Sequence, residues 1–148
     1  MYRHILIPTD GTELAGHAVT NGLSLAKSVG AKVSVIVVET PFKAWNVPES
    51  KSRQMSEAFA EHAEGIKKHA TSVLNRAVAA AKLAGVSCEI IQVEHEHPYQ
   101  AIIAAAKDKG CDLIIMASHG RSGLSALLLG SVTNKVLTHT KTPVLVCH

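Results

Sequence analysis

The order of apolar runs and chain-breaking residues in this chain of 148 residues predicts an α/β fold. It is a doubly wound five-stranded parallel sheet in the order 3-2-1-4-5, with helices on both faces. Three observations predict it. Five short apolar runs alternate with four stretches of helical periodicity. Glycine or proline stands at most of the junctions, as at Pro8, Gly30, Gly85, Pro98 and Gly110. Apolar residues make up 47% of the chain but aromatic ones only 3%, so Val, Ile, Leu and Ala must fill the core, as they do in parallel sheets covered by helices.

Each element follows from its own residues. Ile5-Leu6-Ile7 is a buried strand stopped by Pro8, Asp10 and Gly11. Thr12 is a candidate N-cap, after which Leu14, Ala15, Ala18, Val19, Gly22, Leu23 and Ala26 recur at helical spacing up to Gly30. Val33 to Val38 is nearly all β-branched and reads as the second strand. Thr40 to Ser52, with Pro41, Trp45 and Pro48, reads as a loop. The long helix that follows places Met55, Phe59, Ala63, Ile66, Ala70, Val73, Ala77 and Ala81 on one face and ends at Gly85. Val86 to Val93 is the third strand, and Tyr99 to Lys109 the third helix, with Pro98 near its first position. Asp112 to Met116 is the fourth strand, Gly130 to Thr138 contains the fourth helix, and Pro143 to Val146 is the fifth strand. With no composition break and no internal repeat, residues 1–148 form one domain.

Composition narrows the function. Lys and Arg exceed Asp and Glu by 15 − 12 = 3, and no basic stripe marks a nucleic-acid surface. Cys88, Cys111 and Cys147 form no C-x-x-C pair and read as reduced, buried thiols. The amino terminus runs straight into an apolar strand and no apolar run reaches membrane-spanning length, so a cytoplasmic protein without a membrane partner is expected.

In a sheet of order 3-2-1-4-5, the ligand crevice opens beyond the carboxyl ends of the first and fourth strands. Pro8-Thr9-Asp10-Gly11 and Met116-Ala117-Ser118-His119-Gly120 emerge there, with Val38-Glu39 alongside. Gly130-Ser131-Val132-Thr133 opens a helix whose first N–H groups and positive dipole end suit phosphate, and a nest of N–H groups around Gly120 would suit another phosphoryl oxygen. The segment also reads as a plain glycine-containing turn. No Walker A lysine and no G-x-G-x-x-G fingerprint is present, so N–H groups, hydroxyls and a divalent cation would have to meet the phosphate charge. Arg121 is the nearest basic side chain. Asp10 is a candidate cap on the first helix, a role Thr12 could also take.

These residues resemble the universal stress protein family along the whole chain, from Ile5-Leu6-Ile7-Pro8-Thr9-Asp10 through Ser118-His119-Gly120 to Pro143-Val144-Leu145-Val146. The family's ATP-binding members carry G-x2-G-x9-G followed by Ser or Thr. Gly120, nine residues, Gly130 and Ser131 match it, while Ala117 stands at the first glycine position. The resemblance implies ATP with Mg²⁺ or Mn²⁺. It places Pro8, Thr9 and Asp10 on the nucleoside side, and Val38 offering backbone groups to adenine. Met116 and Ala117 would flank the nucleotide, and His119, Gly120, Gly130, Ser131, Val132 and Thr133 would surround the phosphates. Ala117 is compatible with that pocket if its backbone is ordinary β conformation, and not if a glycine conformation is needed.

The expected function is that of an ATP-binding stress-response protein, a nucleotide-dependent dimeric sensor or regulator with protein partners still to be named. A ligand-free dimeric scaffold and a slow ATPase are the alternatives, and no side chain is assigned a catalytic or metal-binding role. His95 and His97 have the spacing of two zinc ligands, but an exposed strand end before a Pro-started helix explains them without metal. The fifth strand is an apolar, uncharged edge, which predicts a homodimer by strand pairing; the family resemblance implies the same.

Overall fold

The computed structural model describes residues 1–41, 52–120 and 128–148. Nine elements follow in order: β1 (His4–Pro8), α1 (Glu13–Val29), β2 (Lys32–Glu39), α2 (Ser52–Ala84), β3 (Cys88–Glu94), α3 (Pro98–Lys109), β4 (Leu113–Ala117), α4 (Ser131–His139) and β5 (Val144–Cys147). The strands are all parallel and ordered β3-β2-β1-β4-β5, as the alternation predicts. The loop read around Trp45 and the candidate Arg121 lie outside the described residues.

Strand parity sorts the core into two layers. Ile5 and Ile7 of β1, with Val33, Val35 and Val37 of β2, pack under α1 and α2. Leu6, Ile36, Ile114 and Met116 face the other way, against Ile102 and Ala106 of α3 and Val136 of α4. Both faces of β1 are therefore covered, which explains its unbroken apolar run.

Helix ends form as their residues dictate. Thr12 caps α1, its hydroxyl accepting from Ala15 N–H at 3.3 Å. Gly30 closes α1 at φ 72°, a left-handed conformation that glycine adopts without a Cβ penalty. The third strand starts two residues later than its apolar run, because Val86 N–H is spent on Ala81 C=O in closing α2.

The long helix departs most from its pattern. Its 33 residues span about 50 Å, whereas the eight-residue β2 spans about 27 Å. Ala70, Val73, Leu74, Ala77 and Ala81 are buried, but Ala63 is exposed and Met55, Phe59 and Ile66 only half-buried. The helix outruns the sheet, and its overhang borders the space beyond the strand ends.

The amino ends of the strands are closed by a polar network. Asp112 accepts from the N–H groups of Arg3 (2.9 Å) and His4 (3.0 Å). The buried His4 ring lies 3.1 Å from Lys109 C=O through Nδ1 and 2.8 Å from the Ser34 hydroxyl through Nε2. A carbonyl only accepts, so Nδ1 carries the proton and Nε2 accepts from Ser34. Burial, and secondarily the Lys32 charge, push the His4 imidazole below its ordinary value. Burial also pushes the Cys111 thiol up to about 11, in keeping with an inert core thiol.

Candidate functional site

The site exists because β1 and β4 part early. They pair only at Ile5 with Leu113 and Leu6 with Ile114, whereas β1 stays with β2 as far as Pro8 and Ile36. Beyond the carboxyl ends of β1, β2 and β4 lies a cavity of about 390 Å³. Twelve of the thirteen residues expected at the site line it: Pro8, Thr9, Asp10, Val38, Met116, Ala117, His119, Gly120, Gly130, Ser131, Val132 and Thr133.

At the β2 end the backbone supplies a donor and an acceptor. Ile36 C=O accepts from Thr9 N–H (2.9 Å), so the Ile36 peptide groups face β1. Glu39 C=O accepts from His95 N–H (2.9 Å), so those of Glu39 face β3. Backbone groups alternate sides along a strand, which turns the N–H and C=O of Val38 toward β1. The register with β1 ends at Ile36, so they face the crevice instead.

Opposite stands the start of α4. Gly130 is its N-cap, and Asn134 N–H to Gly130 C=O (2.9 Å) is the first intrahelical bond. The N–H groups of Ser131, Val132 and Thr133 precede that bond, and the helix dipole adds a partial positive charge beside them. Thr133 is committed elsewhere: its buried hydroxyl donates to Ala117 C=O (2.8 Å) and docks α4 on β4, which leaves it only its lone pairs and N–H for a ligand.

The two motif glycines stand at close approaches that the sequence did not show. A Cβ on Gly130 would lie 2.9 Å from His119 Cα and 3.3 Å from Ser118 C=O, so Gly130 lets α4 start against the backbone leaving β4. Ser118 fastens both sides, its N–H donating to Cys147 C=O and its C=O accepting from Gly130 N–H, each at 2.7 Å. A Cβ on Gly120 would collide with Asp10 Oδ2. Among the described residues Gly120 is not one of the left-handed glycines; Gly11, at φ 83°, is the one next to Asp10. Close approach, not an unusual dihedral, keeps position 120 small.

Asp10 unites its two candidate roles. Its Oδ1 accepts from Thr12 N–H (3.0 Å) and the Thr12 hydroxyl (2.6 Å), steadying the cap of α1, and Oδ2 lies against Gly120 on the cavity wall. Thr9 turns its hydroxyl to Gly11 N–H (3.3 Å). Ala117 is the last residue of β4, paired with Cys147, so its methyl sits on ordinary extended backbone. His119 Nδ1 lies 3.0 Å from the Ser118 hydroxyl. His95 and His97 lie past β3, where His95 Nδ1 accepts from His97 N–H (2.8 Å).

Other lining residues went unrecognised. Ile66, His69 and Ala70 reach the cavity from the α2 overhang, and Pro98 and Ile102 from α3. Helical periodicity marks Ile66 and Ala70 as an apolar face, but not where the helix lies over the crevice. Glu39 also lines the cavity; the sequence located it at a strand end without a role. No Lys or Arg is among the described lining residues.

A model of the universal stress protein family matches residues 1–148. Universal stress protein YxiE of Bacillus subtilis is 31% identical over 147 residues, 99% of this chain and 99% of its own. The solved structure of MJ0577, a universal stress protein of Methanocaldococcus jannaschii, has a TM-score of 0.76 at 30% identity and covers 99% of this chain and 96% of its own. The fold is shared by the universal stress protein from Archaeoglobus fulgidus in complex with dAMP, with a TM-score of 0.67 at 17% identity over 99% of this chain and 98% of that one. By sequence along its whole length and by strand order, this chain belongs to the universal stress protein family.

Proposed function

We propose that the chain binds ATP in this cavity and acts as a nucleotide-dependent, dimeric, cytoplasmic regulator of a stress response. The observation that carries the reading is that one cavity has a donor–acceptor pair from Val38 at one end and the N–H groups opening α4 at the other. The first pair suits the N1 and 6-amino groups of adenine, and the second suits phosphate. The dAMP complex in the same fold supports an adenine nucleotide as the ligand class.

The nucleotide is held rather than rapidly turned over. Fast phosphoryl transfer relies on fixed cations around the moving phosphoryl group, and the sequence carries no Walker A lysine. No group of three or more His, Cys, Asp or Glu side chains able to hold a metal stands among the described residues. A Mg²⁺ or Mn²⁺ ion would therefore be bound chiefly by phosphate oxygens, with Asp10 the carboxylate beside Gly120.

The dimer would form through β5, an edge strand whose Leu145 is 45% exposed. Strand pairing about a two-fold axis would satisfy its free edge. The experiment is titration calorimetry with ATP and Mg²⁺, joined to mass spectrometry of nucleotide released from freshly purified protein. Saturable binding at one site per chain is expected. Absence of both heat and released nucleotide leaves the ligand-free scaffold as the correct reading.

A further inference from the structure

Glu39 is an unusual residue for the wall of a site that takes a polyanion. It is 7% exposed, closes β2 and lines the cavity beside Val38. Its Oε1 accepts from Gln92 Nε2 at 2.7 Å. Gln92 Nε2 also faces Lys67 C=O of α2 (3.3 Å). The carboxylate is thus held in place from the β3 and α2 side. An ionised carboxylate has about four acceptor positions and no donor, so a ligand group beside it must donate. Phosphate cannot. A carboxylate here sets the polarity of the cavity, with phosphates toward α4 and the base toward β2.

We propose that Glu39 reads the 6-amino group of the purine and makes the site selective for adenine over 6-oxopurines; this rests on the nucleotide-binding reading above. Val38 and Glu39 are adjacent, and the Val38 peptide groups face the crevice where β1 ends. An adenine edge set against them gives one 6-amino hydrogen to Val38 C=O and has a second left for Glu39. A 6-oxopurine brings an oxygen to the same place, where it meets two acceptors and finds no donor. Unmatched polar groups in a buried site are what reject a near-isostere strongly.

The test compares ATP, ITP and 2′-deoxy-ATP on the wild type, Glu39→Gln and Glu39→Ala by calorimetry with Mg²⁺. In Glu39→Gln the new amide oxygen still accepts from Gln92, so its NH₂ turns to the cavity and can donate to a 6-oxo group. The ATP-over-ITP preference should fall roughly ten- to a hundredfold, the scale of a hydrogen bond to a charged group, with 2′-deoxy-ATP following ATP. Glu39→Ala should reduce the preference, chiefly through weaker ATP binding, and leave the part that Val38 C=O supplies. Equal losses of ATP and ITP would make Glu39 a merely structural residue and overturn the proposal. A loss for ATP but not for 2′-deoxy-ATP would also overturn it, by moving Glu39 to the ribose. The wild type suffices if a variant does not fold: purine riboside triphosphate, which lacks the 6-amino group, must bind at least about tenfold more weakly than ATP, and equal binding refutes the claim. A wild type that binds none of these nucleotides overturns the nucleotide reading itself; binding without the selectivity shift overturns only the role of Glu39.

Discussion

Gly130→Ala adds one methyl group to the start of α4. The new Cβ would stand 2.9 Å from His119 Cα, 3.2 Å from His119 Cβ and 3.3 Å from Ser118 C=O. Ordinary carbon–carbon contacts lie at about 3.5–4.0 Å, so helix and β4 exit must separate by roughly half an ångström or more. Gly130 is buried and its φ of −60° suits alanine, so the penalty is steric and not conformational. Overpacking of this kind costs about 1–3 kcal/mol, a fall in melting temperature of roughly 2–4 °C per kcal/mol for a chain of this size. The same displacement strains Gly130 N–H to Ser118 C=O and moves the N–H groups that open α4 away from phosphate. ATP affinity should fall about ten- to a hundredfold, as when charge-assisted hydrogen bonds are lost. Differential scanning calorimetry and ATP titration on the same preparation check both. An unchanged melting temperature would refute the packing argument, and unchanged ATP affinity in a destabilised protein would take phosphate away from α4.

Three further perturbations address other links. Ala117→Gly should leave ATP affinity equal or slightly higher while lowering stability by about 0.5–1 kcal/mol, since glycine in a strand loses more entropy on folding; a clear loss of affinity on titration would reveal a favourable methyl contact. Because burial lowers the folded His4 value, its contribution to stability should be complete above about pH 6.5 and be lost as the pH falls below that. Urea unfolding between pH 5 and 8 should show that slope in the wild type and lose it in His4→Gln, and equal slopes would remove His4 as its source. Leu145→Lys puts an ammonium on the exposed β5 edge and should shift the proposed dimer to monomer in light scattering; an unshifted dimer would relocate the interface.

What the sequence disclosed and what it hid divide along physical lines. Strand order was legible because alternating elements and right-handed crossovers leave few ways to wind the sheet. That order alone brought Asp10, Val38 and Gly120 to one crevice, since all three lie at or just past strand ends. The α2 overhang was hidden: periodicity says which face of a helix is apolar, not how far the sheet extends beneath it, so Ile66 and His69 went unassigned. The work of Gly120 and Gly130 was hidden as well. A glycine in a sequence does not tell close approach from positive φ, and only the distances to Asp10 and His119 decide for the former. Ala117 was a conditional case that its place at the end of β4 resolves toward ordinary extended backbone.

The two ends of the sheet are built for different purposes, and this bears on how ligand and stability should couple. At the amino ends His4, Ser34, Asp112 and Lys109 satisfy one another, so nothing there calls for a ligand. At the carboxyl ends, the Val38 peptide groups and the N–H groups opening α4 face a cavity, and nucleotide would bind the folded chain alone. ATP should then stabilise the protein by mass action, by about 2.7 kcal/mol at a hundred times its dissociation constant. The two ends lie on opposite sides of the sheet and share no hydrogen-bond partner, so their effects should add. Thermal melts of wild type and His4→Gln across an ATP series test this: both should rise by the same increment at each concentration. An ATP increment that shrinks in the His4 variant would show the two ends to be coupled through the strands, and no increment in either would deny the cavity its nucleotide.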